Sequence, residues 1–463
     1  MADRKLFAGY GVRRVRRAQG QTQAAMAEGL GISASYLNLI ERNQRPVTAT
    51  LLMRLADLYD FDPRTLSGDA PGGGAEAMRR RLADPMFADL AIDRAEVDEW
   101  LAAAPGGATA FALAFDRLIA GGAGPAIGPA DPEVAVERAV ARWRNHFADL
   151  DAQAEAIADE LRLGAGDLFG GLSERLRVKH QLSLRILPWE VMPDRLARLD
   201  LHARQLQLSE LLSPGDRILE IGVQIALLEA RAEIDAIVSG AGLDDRAGER
   251  LMRRRAADYF AAALAMPYGR FLRACEATGY DPDLLAARFG VGFTAIAGRL
   301  TSLQRVGARG LPFFLVAVDP AGQMVRRIAG ASGSALADAD GRCPLWNLHT
   351  AFTDPGRAQV QLIEEESGAR WLTLARAIDR PGRGPGGVTG RIAVGIGVEA
   401  SHAGVMAAAR GIDLTGPGAT PIGLGCRACT RPDCPQRAHP PAGRPLRMTD
   451  RERGVNPYPF SGD

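Results

Sequence analysis

The sequence has almost no lysine. Lys5 and Lys179 stand alone among basic residues that are otherwise arginine, a bias that base composition of the coding DNA explains as well as function does. It also lacks any uninterrupted apolar run of roughly 18 residues, which excludes an ordinary membrane-spanning helix. Met1-Ala2-Asp3-Arg4-Lys5 is not followed by an apolar core, so no secretory signal is expected. Cysteine is scarce: there are 5, four of them towards the end, a distribution unlike a secreted disulfide framework. Net charge is nearly absent, at +1, so any nucleic-acid-binding surface must be local. These absences together predict a cytoplasmic protein with a thiolate site. With 463 residues, the chain is too long for one compact core and predicts two to four domains.

The cysteines carry the clearest chemistry. Cys426, Cys429 and Cys434 form a C-x2-C-x4-C loop interrupted by Pro432 and Pro435, and Cys343 lies upstream, followed by Pro344. No helix presents thiols at those offsets on one face, but a turning loop can aim them at one centre. Four such thiolates suit either tetrahedral zinc or an iron–sulfur cluster. The spacing leans towards a cluster, because zinc ribbons usually pair two C-x2-C knuckles. Cys275 has no cysteine near it in the sequence and reads as a packing thiol.

Residues 1–67 predict four short helices. Gly20 ends the first, and Thr22 or Gln21 caps the second. Gly29-Leu30-Gly31-Ile32-Ser33 makes the turn. Ser33 caps a third helix in which Leu37 and Ile40 face inward, and Leu51, Leu52, Leu55, Ala56 and Leu58 mark a fourth. The run Gly31-Ile32-Ser33-Ala34-Ser35-Tyr36-Leu37-Asn38-Leu39-Ile40-Glu41-Arg42, followed by Arg45-Pro46, resembles the Cro/repressor type of helix-turn-helix domain. That resemblance implies that the third helix enters the major groove of double-stranded DNA. Ser33, Ser35, Tyr36 and Asn38 would face base edges or phosphates, with Gln23, Arg42 and Arg45 anchoring the backbone.

Residues 68–75, rich in glycine, read as a linker, and residues 76–130 as a helical connector with a second weak region at 121–125. Residues 131–290 predict an α-rich domain with one continuous helical pattern over 132–161, strands near 182–188 and 204–208, and helices near 214–231, 245–265 and 281–290. Residues 256–267 resemble the closing helix of a zinc-peptidase-like domain. At the place where that peptidase carries His-Glu-x-x-His, this chain has Val223, Gln224 and Leu227. Two imidazoles and a carboxylate are required for that hydrolysis, so the domain is expected to be degenerate.

Residues 291–443 predict an α+β sensor, with strands at 312–318, 324–328, 371–378 and 392–398, and residues 444–463 an extended or poorly ordered tail. The whole chain is thus multi-domain: mainly α at the amino end, α-rich in the middle, α+β at the carboxyl end. In that order the motifs Arg299-Leu300-Thr301-Ser302-Leu303-Gln304-Arg305, Cys343-Pro344-Leu345-Trp346-Asn347-Leu348-His349 and Cys434-Pro435-Gln436-Arg437-Ala438 resemble the bacterial short-chain fatty-acyl transcriptional regulators. The resemblance spans essentially the full length and is similar in kind to the mycobacterial propionate regulators. It implies a short-chain acyl-CoA effector, promoter DNA as a partner, and a [4Fe–4S] cluster on Cys343, Cys426, Cys429 and Cys434, with zinc as the alternative; a homodimer or higher homo-oligomer is expected to bind the DNA. An acyl-CoA needs cations for its phosphates, and Arg299, Arg305 and Arg309 are the expected partners. Two rival readings follow from the same cysteines: a zinc-containing redox or metal sensor without an acyl-CoA effector, and a thioesterase-like enzyme with Cys434 as nucleophile beside His439.

Overall fold

The computed structural model describes residues 9–42, 44–59, 74–84, 87, 90, 92–119, 131–161, 167–338, 343–382, 384 and 386–460, in two compact units, 1–127 and 128–463. The first opens with α1 (Gly9–Ala18), α2 (Gln23–Gly29), α3 (Ala34–Glu41) and α4 (Ala49–Tyr59). Met26 and Leu30, Leu37 and Ile40, and Leu51 and Leu55 recur every three or four residues, so each helix turns one apolar stripe inward. They meet in a core with Val12, Ala27 and Val47. Thr22 Oγ1 accepts the Ala25 N–H at 3.2 Å and Ser33 Oγ accepts that of Tyr36 at 3.1 Å, capping α2 and α3. Gly31 sits at φ +65°, where an added Cβ would fall 2.7 Å from Arg54 Nη1, so the turn requires glycine. Then come α5 (Ala75–Leu82), α6 (Arg94–Ala103) and α7 (Pro105–Ile119), around a small core of Met78, Val97, Ala108 and Ala112. Most of the expected linker at 68–75, and the weak region at 121–125, lie outside the described residues.

In the second unit α8 (Pro132–Arg142) and α9 (Ala148–Glu160) replace the single helix expected over 132–161. The break falls at Arg144 and Asn145, both left-handed at φ +50° and +53°, with no glycine or proline to announce it. Tertiary bonds fix it instead: Asn145 Nδ2 donates to Thr301 Oγ1 at 2.8 Å, and the Phe147 N–H to the Tyr259 hydroxyl at 3.3 Å. Next are α10 (Leu168–His180), β1 (Ser183–Leu187), β2 (Ala197–Asp200) and β3 (Gln205–Ser209). They form a small sheet in the order β1-β3-β2, β1 and β3 parallel. The helices α11 (Pro214–Glu229), α12 (Arg231–Ala241), α13 (Arg246–Ala265), α14 (Tyr268–Thr278), α15 (Pro282–Phe289) and α16 (Phe293–Leu300) follow. A Cβ on Gly222 would fall 2.9 Å from Ala261, so small residues set the close approach of α11 to α13.

The larger sheet comprises β4 (Phe314–Val318), β5 (Met324–Ile328), β6 (Gln359–Glu364), β7 (Arg370–Arg380), β8 (Gly390–Glu399) and β9 (Thr420–Pro421). Its order is β5-β4-β8-β7-β6-β9, antiparallel except between β6 and β9. Side chains alternate across it. Leu315, Ala317, Leu372, Leu374, Val394 and Ile396 join the core that runs from Val136 to Ala409. Phe314, Val316, Val318, Trp371 and Ala375 pack on the other face against Cys343, Trp346 and Leu348. Residues on both sides of position 290 therefore share one core. Over 444–460 the tail is tied back on itself: Leu446 bridges Phe460, the Arg447 N–H donates to Pro459 O at 2.8 Å, and Phe460 is buried.

Candidate functional site: a helix-turn-helix head and a four-thiol cavity

On α3 and its flanks, Ser33, Ser35, Arg42 and Arg45 are exposed and Tyr36 and Asn38 half-buried. The Ser33 hydroxyl already serves as a cap, and Tyr36 leans on the core. The helix is held from behind by Glu41, which is buried and accepts from Arg16 Nε at 2.6 Å, Arg16 Nη2 at 3.0 Å and Gln23 Nε2 at 2.8 Å. Burial works to raise the Glu41 carboxyl, but Arg16, Gln23 and Arg13 outweigh it and hold it below the usual range. Gln23 thus spends one amide hydrogen on Glu41. Arg16 and Glu41 were not singled out from the sequence.

All four expected thiols line one small cavity. Cys343 comes from the segment packed on the larger sheet, and Cys426, Cys429 and Cys434 from the loop that follows β9; Arg431 and Arg437 complete the wall. Burial pushes the Cys343 and Cys429 thiols up. As the side chains stand, no three His, Cys, Asp or Glu among the described residues close to ligating geometry. Three features nonetheless suit an anionic metal–thiolate centre. The cysteines are the cavity's donor set, with no carboxylate or imidazole in its wall. A Cβ on Gly423 would fall 2.6 Å from Cys429 Sγ, so glycine leaves that sulfur its room. Arg437, 4 % exposed, carries a buried Nε–H with no partner. Arg437 was missed as a functional residue in the sequence, although it lies inside the Cys434-Pro435-Gln436-Arg437 motif.

The three arginines expected at acyl-CoA phosphates are placed very differently. Arg299 is fully buried: Nη2 donates to Asp151 Oδ1 at 2.5 Å, Nε to Met266 O at 3.1 Å and Nη1 to Ser302 Oγ at 3.1 Å, with Tyr259 and Tyr268 rings on either side. It therefore cannot reach a phosphate, and that expectation is corrected. Burial would raise the Asp151 carboxyl, but Arg299, His146 and Tyr259 bring it down to about 2. Arg305 is bonded to Glu155 Oε2 at 2.5 Å and lies over the Tyr268 ring at 4.1 Å. Arg309 is exposed and, among the described residues, makes no side-chain bond. Nearby, a cavity of about 280 Å³ opens between α8 and β5, with apolar Val134, Val140 and Ile328 and polar Arg138, Asn145 and Arg327 in its wall. Cys275 is buried, its thiol pushed up to about 12 by burial, as suits packing.

Two regulators allow the chain to be placed. It is 34% identical to the HTH-type transcriptional regulator RamB of Mycobacterium tuberculosis over 98% of both chains. It is 35% identical to the propionyl-CoA carboxylase regulator of Cereibacter sphaeroides, again over 98% of both. This chain belongs to the short-chain fatty acyl-CoA regulator family. The family's C-terminal profile matches residues 302–458 of the regulator, the IrrE N-terminal-like profile 178–301, and a helix-turn-helix profile 10–67. A solved Mycobacterium tuberculosis transcriptional regulator superposes with TM-score 0.67 at 33% identity, covering 70% of this chain and 98% of that one. The regulator is therefore a transcription factor and not an enzyme, and the thioesterase reading is set aside. On α11, Val223 is half-buried, Gln224 buried and Leu227 exposed, and none of them is a metal ligand or a general base. Among the described residues no helix is long and apolar enough to cross a membrane.

Proposed function

We propose that the regulator controls genes of propionate or related short-chain acyl-CoA metabolism, and that an acyl-CoA thioester sets its affinity for promoter DNA. The observation that carries this reading is the end-to-end likeness to regulators, one of them named for propionyl-CoA carboxylase. The chain binds as a homodimer, since helix-turn-helix heads read paired half-sites one helical turn apart. The effector binds the 128–463 unit. The cavity between α8 and β5 has Val134, Val140 and Ile328 for a short acyl chain and Arg138 as a cation in its wall, where Arg327 is already paired with Glu137 at 2.7 Å; Arg309 and the partly exposed Arg305 are further candidates for the phosphates. An effector that prefers one arrangement of this unit shifts the population of the DNA-binding form.

Cys343, Cys426, Cys429 and Cys434 would hold a [4Fe–4S] cluster, which supplies one-electron chemistry where zinc would supply only a structural tie. Arg437 sets a positive charge in the cavity wall, and the Pro344 and Pro435 turns stiffen the presentation of the sulfurs. Electrophoretic shifts on the gene's own upstream region, with and without acetyl-, propionyl- and longer acyl-CoAs, test the effector. Affinity unchanged by every thioester would sink it. Anaerobic purification with visible absorption and iron, sulfide and zinc analysis tests the centre. One zinc per chain and no visible absorption would replace the cluster with the zinc reading.

A further inference from the structure

The carboxyl-terminal strap carries an aromatic ring placed against the buried guanidinium of the thiol loop. Arg437 Nη1 donates to Cys426 O at 2.9 Å and, at 3.4 Å, to His439 O, and Nη2 donates to Cys429 O at 3.1 Å and Arg431 O at 2.7 Å. The same Nη2 lies 3.8 Å from Cys429 Sγ. One planar fork thus gathers the carbonyls of two of the thiol-bearing residues, a task for which an ammonium has the wrong shape. Phe460 is buried, and the Arg437 guanidinium carbon stands 5.0 Å from its ring centroid. Leu446, Met448 and Val455 of the same strap are exposed, so Phe460 is its apolar anchor. Asn456 Nδ2 adds a bond to Pro432 O, and the Ala442 N–H donates to Arg427 O at 2.7 Å. Both acceptors lie within the cysteine loop.

We propose that Arg437 is the positioning residue of the four-thiol centre and that Phe460 is the latch that holds it there. The ring closes one face of the guanidinium by a cation–π contact and keeps water off the four carbonyl bonds. The unpartnered Nε–H leaves the same guanidinium a donor for the charge that a metal–thiolate centre brings. Release of the strap then loosens Cys426 and Cys429 together, while the helical core, which makes no use of the strap, stays intact. The inference rests on the four thiols acting as ligands, but its latch can be read without any metal.

The test uses the full chain as wild type, Phe460→Ala, Phe460→Leu, Arg437→Lys and Arg437→Gln. In the reduced, metal-free protein, alkylation of each cysteine is followed by peptide mass spectrometry, with Cys275 as the reporter of global fold. In protein loaded anaerobically with ferrous iron and sulfide, loss of iron to a chelator is timed. Phe460→Ala is expected to speed labelling of Cys429 and iron loss about tenfold, with Cys275 unmoved. Phe460→Leu, which keeps an apolar plug without a ring face, falls between. Arg437→Lys labels as fast as Arg437→Gln, because neither gathers the four carbonyls that the fork does, yet loses iron more slowly because it keeps the charge. Wild-type labelling in Phe460→Ala overturns the latch, as does a parallel rise at Cys275, which would mean general loosening. Failure of the wild type to load any metal overturns the ligand reading instead, and labelling alone then decides the latch.

Discussion

Replacing Asp151 by Asn should be among the most damaging single changes in the 128–463 unit. Its carboxylate is wholly buried and takes the Arg299 Nη2 at 2.5 Å and the Tyr259 hydroxyl at 2.6 Å. The Asn side chain keeps the shape but strands a cation that solvent cannot reach. Removing one member of a buried pair typically costs about 3–5 kcal/mol, whereas exchanging both for apolar groups is often neutral. Asp151→Asn is therefore expected to lower urea stability at pH 7 by about that amount, and the double variant Asp151→Leu/Arg299→Met to recover most of it. The pH dependence has a definite sign. The folded Asp151 carboxyl lies at about 2, below its ordinary value of 3.8, so its contribution is present above 3.8 and lost as pH falls through 2. The difference is worth about 2 kcal/mol. Denaturation curves from pH 7 to pH 2, followed by tryptophan fluorescence, measure both effects. A loss below about 1 kcal/mol for Asp151→Asn, or a double variant no better than the single one, would refute the pairing as the reason for Arg299's position.

At the DNA-binding head, Arg45→Ala should weaken operators of every sequence about equally and reduce the salt slope of binding by about 1; fluorescence anisotropy at several salt concentrations measures it. Asn38→Ala should instead cost about 1–3 kcal/mol at particular base pairs and relax preference there, as a panel of mutated operators would reveal. Cys343→Ser should lower bound metal per chain, read by elemental analysis, while leaving the helix-turn-helix head folded. Gly397→Ala places a Cβ 2.5 Å from Phe314 Cε1 and should destabilise the larger sheet by about 1–3 kcal/mol, seen as a lowered urea midpoint.

Local signals in the chain foretold the helix-turn-helix head, the caps at Thr22 and Ser33, the loss of peptidase ligands on α11 and the set of four cysteines, because each depends on residues close together in the chain or on a residue type with few uses. What needed the folded chain was every outcome set by distant neighbours. The break between α8 and α9 carries no glycine or proline and exists because Asn145 finds Thr301. β2, β6, α10 and α12 escaped notice; the two strands span only 4 and 6 residues, and so short a run leaves little periodic trace. Arg299 looked from its motif like a cation for phosphate, and only the packing of Asp151, Tyr259 and Tyr268 around it showed that its charge is consumed inside. The tail read as loose because it is polar and proline-bearing, yet one ring, Phe460, docks on Arg437 and orders it. Sequence spacing allows Cys343 and the C-x2-C-x4-C loop to share a centre. Only the larger sheet, which packs the Cys343 segment on one face and leads through β9 into the loop, brings those sulfurs to the same cavity.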